Sequence, residues 1–258
     1  MTLEQLLIVV VLASLPFVAF IAKQGPVKAS ESVDVFTVGN RRFRAFRIAA
    51  GISMAFVGGA ATLNMASLGY QYGWSVTVDP IVVFVALVVG AFLASRVRSG
   101  HGITITDVLA GSSPRLRAFL GTTSLAVYQL LTAAQFVAVG KLLSPHFPGV
   151  PEGVVIAVPA IVVFLYTYFR GFNAVTNTDV LQLVVMLALY AIPCLWIFLA
   201  APGRADSVSA SPAATAPTSL LLYLGLPLLF VPVSHDTNIR VKAAESLNHA
   251  RAGLVLVS

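Results

Sequence analysis

The stretch Ile48–Val78, which reads IAAGISMAFVGGAATLNMASLGYQYGWSVTV, contains 31 residues and no charged side chain. A bilayer has a hydrocarbon core about 30 Å thick and a helix needs roughly 17 to 25 residues to cross it, so the stretch is too long for one straight span. Gly58 and Gly59 lie near its middle, and a glycine weakens a helix by about 1 kcal/mol relative to alanine. Two structures remain open: one helix packed through small residues, or a helix with an unwound stretch near Gly58.

The composition of the whole chain excludes water as its main solvent. Hydrophobic residues make up 58% of the 258 residues and charged residues only 10%, whereas a soluble domain is about 25% charged. The apolar residues form long uncharged runs without the alternation of a one-sided core, which is typical of lipid-facing helices. We therefore expect an all-α integral membrane protein and not an enzyme. The single cysteine, Cys194, excludes an intrachain disulfide and a thiolate metal cluster.

Seven apolar segments predict about seven transmembrane helices. They are approximately Leu6–Ala22, Ile48–Tyr72, Pro80–Ser95, Ala118–Gly140, Val154–Phe169, Val180–Ala200 and Ser219–Val233. The residues before the first segment include Glu4 and no cation, so we interpret it as a retained helix that enters with its N-terminus outside, and not as a signal peptide. A further apolar run, Ala252–Ser258, is too short to span, which suggests that the chain ends inside an eighth helix.

The positions of the cations test this orientation. With the N-terminus outside, the inner loops follow helices one, three, five and seven, and they hold all of the 16 Lys and Arg residues except Lys141 and Arg204. Cations resist translocation, so this bias indicates a multi-pass protein in the lipid bilayer of the plasma or inner membrane. The net charge of +6 does not indicate nucleic-acid binding, because no basic helix or aromatic-basic motif accompanies it.

Local patterns that imitate enzyme sites carry little weight. Ser234, His235 and Asp236 are consecutive, but adjacent side chains on a helix point about 100° apart, so they are not expected to form a catalytic triad. The four histidines lie in or beside different predicted loops and lack metal-ligand spacing. We therefore expect no cofactor and no structural metal.

A second interrupted helix is predicted near the end of the chain. Gly225, Pro227 and Pro232 interrupt the seventh apolar run, and a proline removes an amide donor and clashes with the preceding turn. Interrupted helices in corresponding positions of two halves indicate the binding site of a transporter. Here they are the second and the seventh helices.

Four motifs follow one another along the chain: Val35–Arg42 (VFTVGNRR), Gly102–Leu109 (GITITDVL), Arg170–Gln182 (RGFNAVTNTDVLQ) and Arg240–Ser246 (RVKAAES). In content and order they resemble the motifs of the sodium/solute symporter family, the carriers of proline, sugars, pantothenate, acetate and similar solutes. The third is the most specific, and in it Arg170 takes the place of a glycine. The matching positions are Arg41, Gly171, Ala174, Val175, Thr178, Asp179, Gln182, Arg240, Ala243, Ala244 and Ser246.

The resemblance implies a leucine-transporter-type fold of two inverted five-helix repeats with alternating access between them. The chain would be a single transmembrane domain with an extra first helix (1–22), the first repeat (46–201) and an incomplete start of the second repeat (219–258). The carboxyl-terminal half of the carrier would be missing. The resemblance also implies a sodium ion held by backbone carbonyls near Met54 and Val57 and by a ninth helix that lies beyond this sequence.

The function that the resemblance implies is sodium-coupled symport of a small organic solute. Solute contacts are expected from the second, fourth and seventh helices, whose polar candidates are Asn64, Ser67, Gln129, Thr132, Gln135 and Ser234. Phe56 departs from relatives that carry a polar residue beside the ion. Asp179 is either a buried functional carboxylate or, as we expect from its place after Thr178 and a predicted cytoplasmic loop, a helix N-cap.

Two alternatives to a carrier remain open. The chain could be a symporter-like membrane sensor or anchor domain of a signalling protein, or a truncated product without function. Half an ion site and one repeat leave no second body to move against, so these 258 residues are not expected to transport alone.

Overall fold

The computed structural model describes residues 2, 5–6, 8–14, 33–100, 102, 104–200, 222 and 225–257. The predicted all-α class is confirmed for this part of the chain, where the β-pairing consists of an isolated bridge between Phe43 and Ala244. Most of the first predicted helix and the linker Ala201–Thr218 lie outside the described residues.

Besides the helical residues 8–14, ten α-helices are named below, and short 3-10 turns connect several of them. The helices are α1 (Val33–Val38), α2 (Ala45–Phe56), α3 (Gly59–Tyr72), α4 (Val78–Ser99), α5 (Ile105–Ala110), α6 (Pro114–Leu143), α7 (Glu152–Ala200), α8 (Pro227–Phe230), α9 (His235–Ala243) and α10 (Leu247–Val257). The 3-10 turns are Gly39–Arg41, Gly73–Thr77, Ser144–His146 and Val231–Val233.

Among the described residues, four helices are long and apolar enough to cross a membrane: Ser75–Ser99, Pro114–His146, Glu152–Phe169 and Gly171–Trp196. The bent pair α2 and α3 makes a fifth if it is one span. These correspond to the second through sixth predicted helices. The first and seventh predicted helices run partly through residues outside the described part, so the total of seven stays a prediction.

The second predicted helix is broken, which decides between the two structures left open by its sequence. Helix α2 ends at Phe56, and Val57 leaves the helical region with φ −93° and ψ 59°. Gly58 is extended, with φ −83° and ψ 162°, and α3 starts after it. The two halves are bent by 61°. We call Val57 and Gly58 the first break.

The predicted loop between the fifth and sixth helices is wrong. Residues 152–200 are helical except at Gly171, which has φ 59° and ψ −150° and forms the kink between two helices. Only glycine adopts this conformation without strain. A single residue therefore changes the chain direction where a loop was expected. We call the spans before and after it α7a (Glu152–Phe169) and α7b (Gly171–Trp196).

The core lies where α2, α4, α9 and α10 meet. Its largest fully buried apolar side chains include Phe43, Ile48, Leu87 and Leu254. The Phe43 amide donates to the Ala243 carbonyl at 3.2 Å, and the Phe43 carbonyl accepts from the Glu245 amide at 2.9 Å. These bonds hold the end of α9 beside the start of α2, and so bring the two interrupted regions of the chain together.

Candidate functional site

The first break opens onto a large apolar cleft. The cleft has a volume of about 990 Å³ and lies between the α2–α3 pair, α4, α7b and the end of α10. Ser53, Phe56, Val57 and Thr62 line it beside the break. The Val57 amide donates to the Ser53 carbonyl at 2.9 Å, and the last carbonyls of α2, which include that of Met54, have no continuing helix to bond to.

The seventh predicted helix is also broken, which confirms the interruption expected from its prolines. Helix α8 passes into the 3-10 turn Val231–Val233, Ser234 is extended with φ −67° and ψ 146°, and α9 follows. The Ser234 hydroxyl accepts from the Thr237 amide at 3.3 Å as an N-cap. The Asn238 side-chain amide donates to the carbonyls of Pro232 (3.2 Å) and Ser234 (2.7 Å). We call Ser234 the second break.

One face of α6 touches both breaks. The Tyr128 hydroxyl accepts from the His235 amide at 3.0 Å, directly after the second break. At the first break, a Cβ added to Gly58 would lie 2.6 Å from the side-chain amide of Gln135. Residues seven apart share a helix face and are separated by about 10 Å along the axis. The two breaks therefore lie side by side along α6.

A buried ion pair connects α7b to α9. Arg240 Nη2 lies 3.3 Å from Asp179 Oδ2, with side-chain exposures of 9% and 10%. Arg240 Nη1 lies 3.0 Å from Asp236 Oδ1, and the Arg240 guanidinium also lies over the Phe172 ring. A buried charge is stable only when it is paired and hydrogen-bonded, and this arginine bridges two carboxylates.

Two sequence expectations are therefore corrected. Asp179 is not an N-cap, because it lies two turns inside α7b and bonds to a residue 61 positions away. Arg240 and Lys242 do not lie in a solvated loop, because both are buried in the helix α9. In each case a charge that local sequence placed at a loop is compensated by tertiary contacts.

The structure brings only some of the predicted site residues together. Met54 and Val57 lie at the end of α2, Gln135 lies at the first break, and Ser234 forms the second break. Thr132 lies on the α6 face between Tyr128 and Gln135, and its hydroxyl donates to the Tyr128 carbonyl at 2.8 Å. The exposed candidates are Asn64, Ser67, Gln129 and Thr132. Asn64 and Ser67 lie on α3 outside the lining of the cleft.

Sequence reasoning missed three residues of the site. Tyr128 and His235 pack edge to face at 5.5 Å between ring centroids, and Asn238 satisfies the carbonyls of the second break. The buried atoms His235 Nε2 and Asn238 Oδ1 have no hydrogen-bond partner among the described residues. Pro232, two residues before Ser-His-Asp, was the available signal, because a break exposes carbonyls that need a nearby donor.

Asp179 of the third motif and Arg240 of the fourth form the ion pair that joins α7b to α9. Several further positions of these two motifs are buried, namely Gly171, Ala174, Thr178, Ala243 and Ala244. Thr178 donates to the Val175 carbonyl at 2.8 Å, so its hydroxyl is satisfied within the helix. These motifs therefore serve helix packing around the ion pair, and the breaks lie elsewhere.

Comparisons with known proteins point to one class. A family model described as "Sodium:solute symporter family" matches residues 36–248 of the chain. The sodium/proline symporter of Staphylococcus aureus is 27% identical over 240 residues, which is 87% of this chain and 44% of that relative. That of S. aureus strain Newman is 26% identical over 218 residues, 78% of this chain and 41% of that relative. The chain thus spans less than half the length of these curated relatives.

Proposed function

Because the chain belongs to the sodium:solute symporter family, we propose that it is the amino-terminal part of a sodium-coupled carrier for a small organic solute. The observation that carries this proposal is the position of two helix breaks along one face of α6. Broken helices present carbonyls and amides at membrane depth, which is tolerated only where the backbone is buried or lines a cavity. An assembly of this kind can bind an ion and a solute close to each other.

The first break is the better candidate for sodium. At the second break, the Asn238 side chain already occupies the carbonyls of Pro232 and Ser234. At the first break, the final carbonyls of α2 and the hydroxyl of Ser53 border an open cleft. Sodium is a hard cation that prefers oxygen ligands, so we place it near Met54 and Val57, with further ligands expected from the second half of the carrier.

The solute is proposed to bind between the breaks, against α6. Gln135 and Thr132 lie on that face, and Ser234 and His235 lie at its other end. We therefore expect these four residues to contact the solute. Asn64, Ser67 and Gln129 reach the solute only if the second repeat closes over them. Because the curated relatives are named sodium/proline symporters, proline is the first solute to test.

The function is tested by uptake into membrane vesicles that carry the full-length protein. Proline or a related small solute should enter when an inward sodium gradient is imposed, and should not enter when potassium replaces sodium. Uptake that is indifferent to the cation would exclude sodium coupling. The 258-residue chain alone is expected to give no uptake, because one repeat has no partner against which to move.

Gly58→Val is expected to reduce sodium-driven uptake by the full-length protein. The new side chain would occupy the position of the Gln135 amide, because a Cβ on residue 58 would lie only 2.6 Å from the Gln135 side-chain nitrogen and oxygen. Displacing a hydrogen-bonding group costs about 1 to 3 kcal/mol, which corresponds to a loss of about 5-fold to 150-fold in rate.

Gly153→Val is the matched control for this substitution. A Cβ at Gly153 meets nothing within 4 Å, and Gly153 lies at the start of α7, outside the lining of the cleft. Uptake should stay within about twofold of the parent protein, because helix propensity alone changes by a fraction of a kcal/mol. Equal loss in both variants would show that the break itself does not matter.

We also propose the domain organisation and orientation expected from the family: an extra first helix (1–22), a first repeat (46–201) and the start of an inverted second repeat (219–258), with the N-terminus outside the plasma membrane. In a Cys194→Ser background, Arg42→Cys and Arg115→Cys should react with a membrane-impermeant thiol reagent only after permeabilisation. Val150→Cys should react in intact cells. Labelling of Arg42→Cys and Arg115→Cys from opposite sides would refute the scheme.

A further inference from the structure

A second, polar pocket lies away from both breaks. It has a volume of about 300 Å³ and is formed where the end of α4, the segment before α5, the Gly39–Arg41 turn and α9 meet. Its lining residues are Arg41, Arg98, Ser99, Gly100, Gly102 and Lys242. We call it the cationic pocket, because three of these six residues are cations and none is an acid.

Within the described part of the chain, no carboxylate forms an ion pair with the cations of this pocket, which are Arg41, Arg98 and Lys242. Asp107 is the nearby carboxylate, and its oxygens accept from the Thr104 amide (3.0 Å) and lie 3.4 Å from the Arg117 guanidinium. Like charges around a small volume repel each other and favour a bound anion.

The cations are held in place by backbone carbonyls. Arg98 Nη1 donates to the carbonyls of Val241 (3.1 Å) and Ala244 (2.6 Å), and Lys242 Nζ donates to the Gly102 carbonyl at 2.6 Å. A guanidinium has five N–H donors and an ammonium three, so both groups keep donors for a ligand. Lys242 is only 4% exposed, and pre-positioned donors bind with little loss of side-chain entropy.

Arg41 is the third cation that lines the pocket. It has φ 54° at the end of a tight turn that starts at Gly39, and it makes no hydrogen bond or ion pair among the described residues. Burial lowers the pKa of Lys242; the Asp107 carboxylate opposes this shift and Arg41 adds to it. Lys242 lies outside the candidate membrane spans. The side chain of Arg41 is therefore the group free to turn toward a bound anion.

We propose that the cationic pocket binds a phosphate-type oxyanion, supplied by the headgroup of an anionic lipid or by free phosphate. Several donors from different directions suit a tetrahedral anion with three or more acceptor oxygens. Ligand pockets of about 300 Å³ and above are of ordinary size, and the volume here admits a phosphate group. The pocket lies beside Arg96, at the cation-rich end of α4. In the orientation proposed above, on which this step rests, that end faces the cytoplasmic leaflet, whose anionic headgroups attract cations.

The proposal is tested by titration of the full chain, purified in a non-ionic detergent, with three probes. These are inorganic phosphate, short-chain phosphatidylglycerol and short-chain phosphatidylcholine, which has the same phosphate but no net charge. Saturable binding of phosphatidylglycerol that phosphate displaces only weakly identifies a lipid site. Saturable binding of phosphate with similar affinity identifies a free-anion site. The proposal is overturned if neither phosphate nor phosphatidylglycerol binds, or if phosphatidylcholine binds as tightly as phosphatidylglycerol.

Substitutions separate the pocket from general surface charge. Arg41→Gln should weaken binding by about tenfold, since a charge-assisted hydrogen bond is lost, and Arg41→Lys should retain most of it. Both variants keep a side chain at φ 54°, so backbone strain is unchanged. Arg42→Gln, the adjacent exposed arginine outside the pocket, should bind like the parent. Equal weakening by Arg41→Gln and Arg42→Gln would show only surface attraction and would refute the site.

Discussion

Arg240→Met is expected to lower the free energy of unfolding by about 3 to 5 kcal/mol, because it leaves a buried carboxylate without its partner. Asp179 is only 10% exposed in its side chain, and its Oδ2 accepts from Arg240 Nη2 at 3.3 Å. Water cannot replace the guanidinium at this depth. The contact between α7b and α9 should therefore loosen, and with it the position of the second break at the start of α9.

The measurement is a titration of the purified chain with SDS in mixed micelles, followed by helix content. Arg44→Met is the matched control, because the Arg44–Glu245 pair is 3.7 Å long with side-chain exposures of 81% and 51%. Exposed pairs contribute about 0 to 1 kcal/mol, so this control should change little. A loss for Arg240→Met no larger than for Arg44→Met would show that the buried pair does not hold the two helices together.

A double variant separates the charge pairing of Asp179 and Arg240 from the packing of the Arg240 side chain. Asp179→Leu together with Arg240→Met removes both charges and should recover much of the stability lost by Arg240→Met alone, since a buried ion pair replaced by apolar residues is often neutral. An additive loss would mean that packing of Arg240 on Phe172 and Gly51, rather than charge, dominates. Gly51 permits this packing, because a Cβ added there would lie 3.2 Å from Asp179 Oδ2 and would collide with Arg240 Nε.

Gly171→Ala is expected to destabilise the protein by at least about 2 kcal/mol. Gly171 has φ 59° and ψ −150°, a conformation that is essentially restricted to glycine. A Cβ would also lie 2.8 Å from the Phe36 carbonyl oxygen, and backbone cannot move aside as a flexible side chain does. The substitution should therefore straighten α7 or push α1 away from it.

Substitutions at two other glycines, measured in the same SDS titration, separate the backbone strain of a positive φ from the steric clash of an added Cβ. Gly111 has φ 53° and open space at its Cβ position, so Gly111→Ala reports backbone strain without a clash. Gly153 has open space and no positive φ, so Gly153→Ala should be neutral or slightly stabilising. The expected order of destabilisation is Gly171, then Gly111, then Gly153. If Gly171→Ala behaves like Gly153→Ala, the bend does not depend on this residue.

The broken second helix shows what its local sequence could and could not predict. Its glycines and its excess length permitted an unwound stretch but left a continuous helix equally open, since small residues also favour close helix packing. In the structure the helix is broken, and Gln135 from a different helix occupies the space beside Gly58, a contact that spacing within the second helix does not predict. The seventh helix was less ambiguous, because a proline removes a backbone donor whatever its neighbours are.

The sequence by itself determined the lipid environment, the helical class, the family and the interruption of the seventh helix, because these depend on composition, run length and residues with restricted backbones. Tertiary structure decided which polar groups meet: Tyr128 with His235, Gln135 with Gly58, and Asp179 with Arg240. It also turned an expected loop at Gly171 into a single bend and an expected N-cap into half of an ion pair. The physical reason is that burial and charge compensation arise between helices distant in sequence, where spacing along one chain carries no distance information.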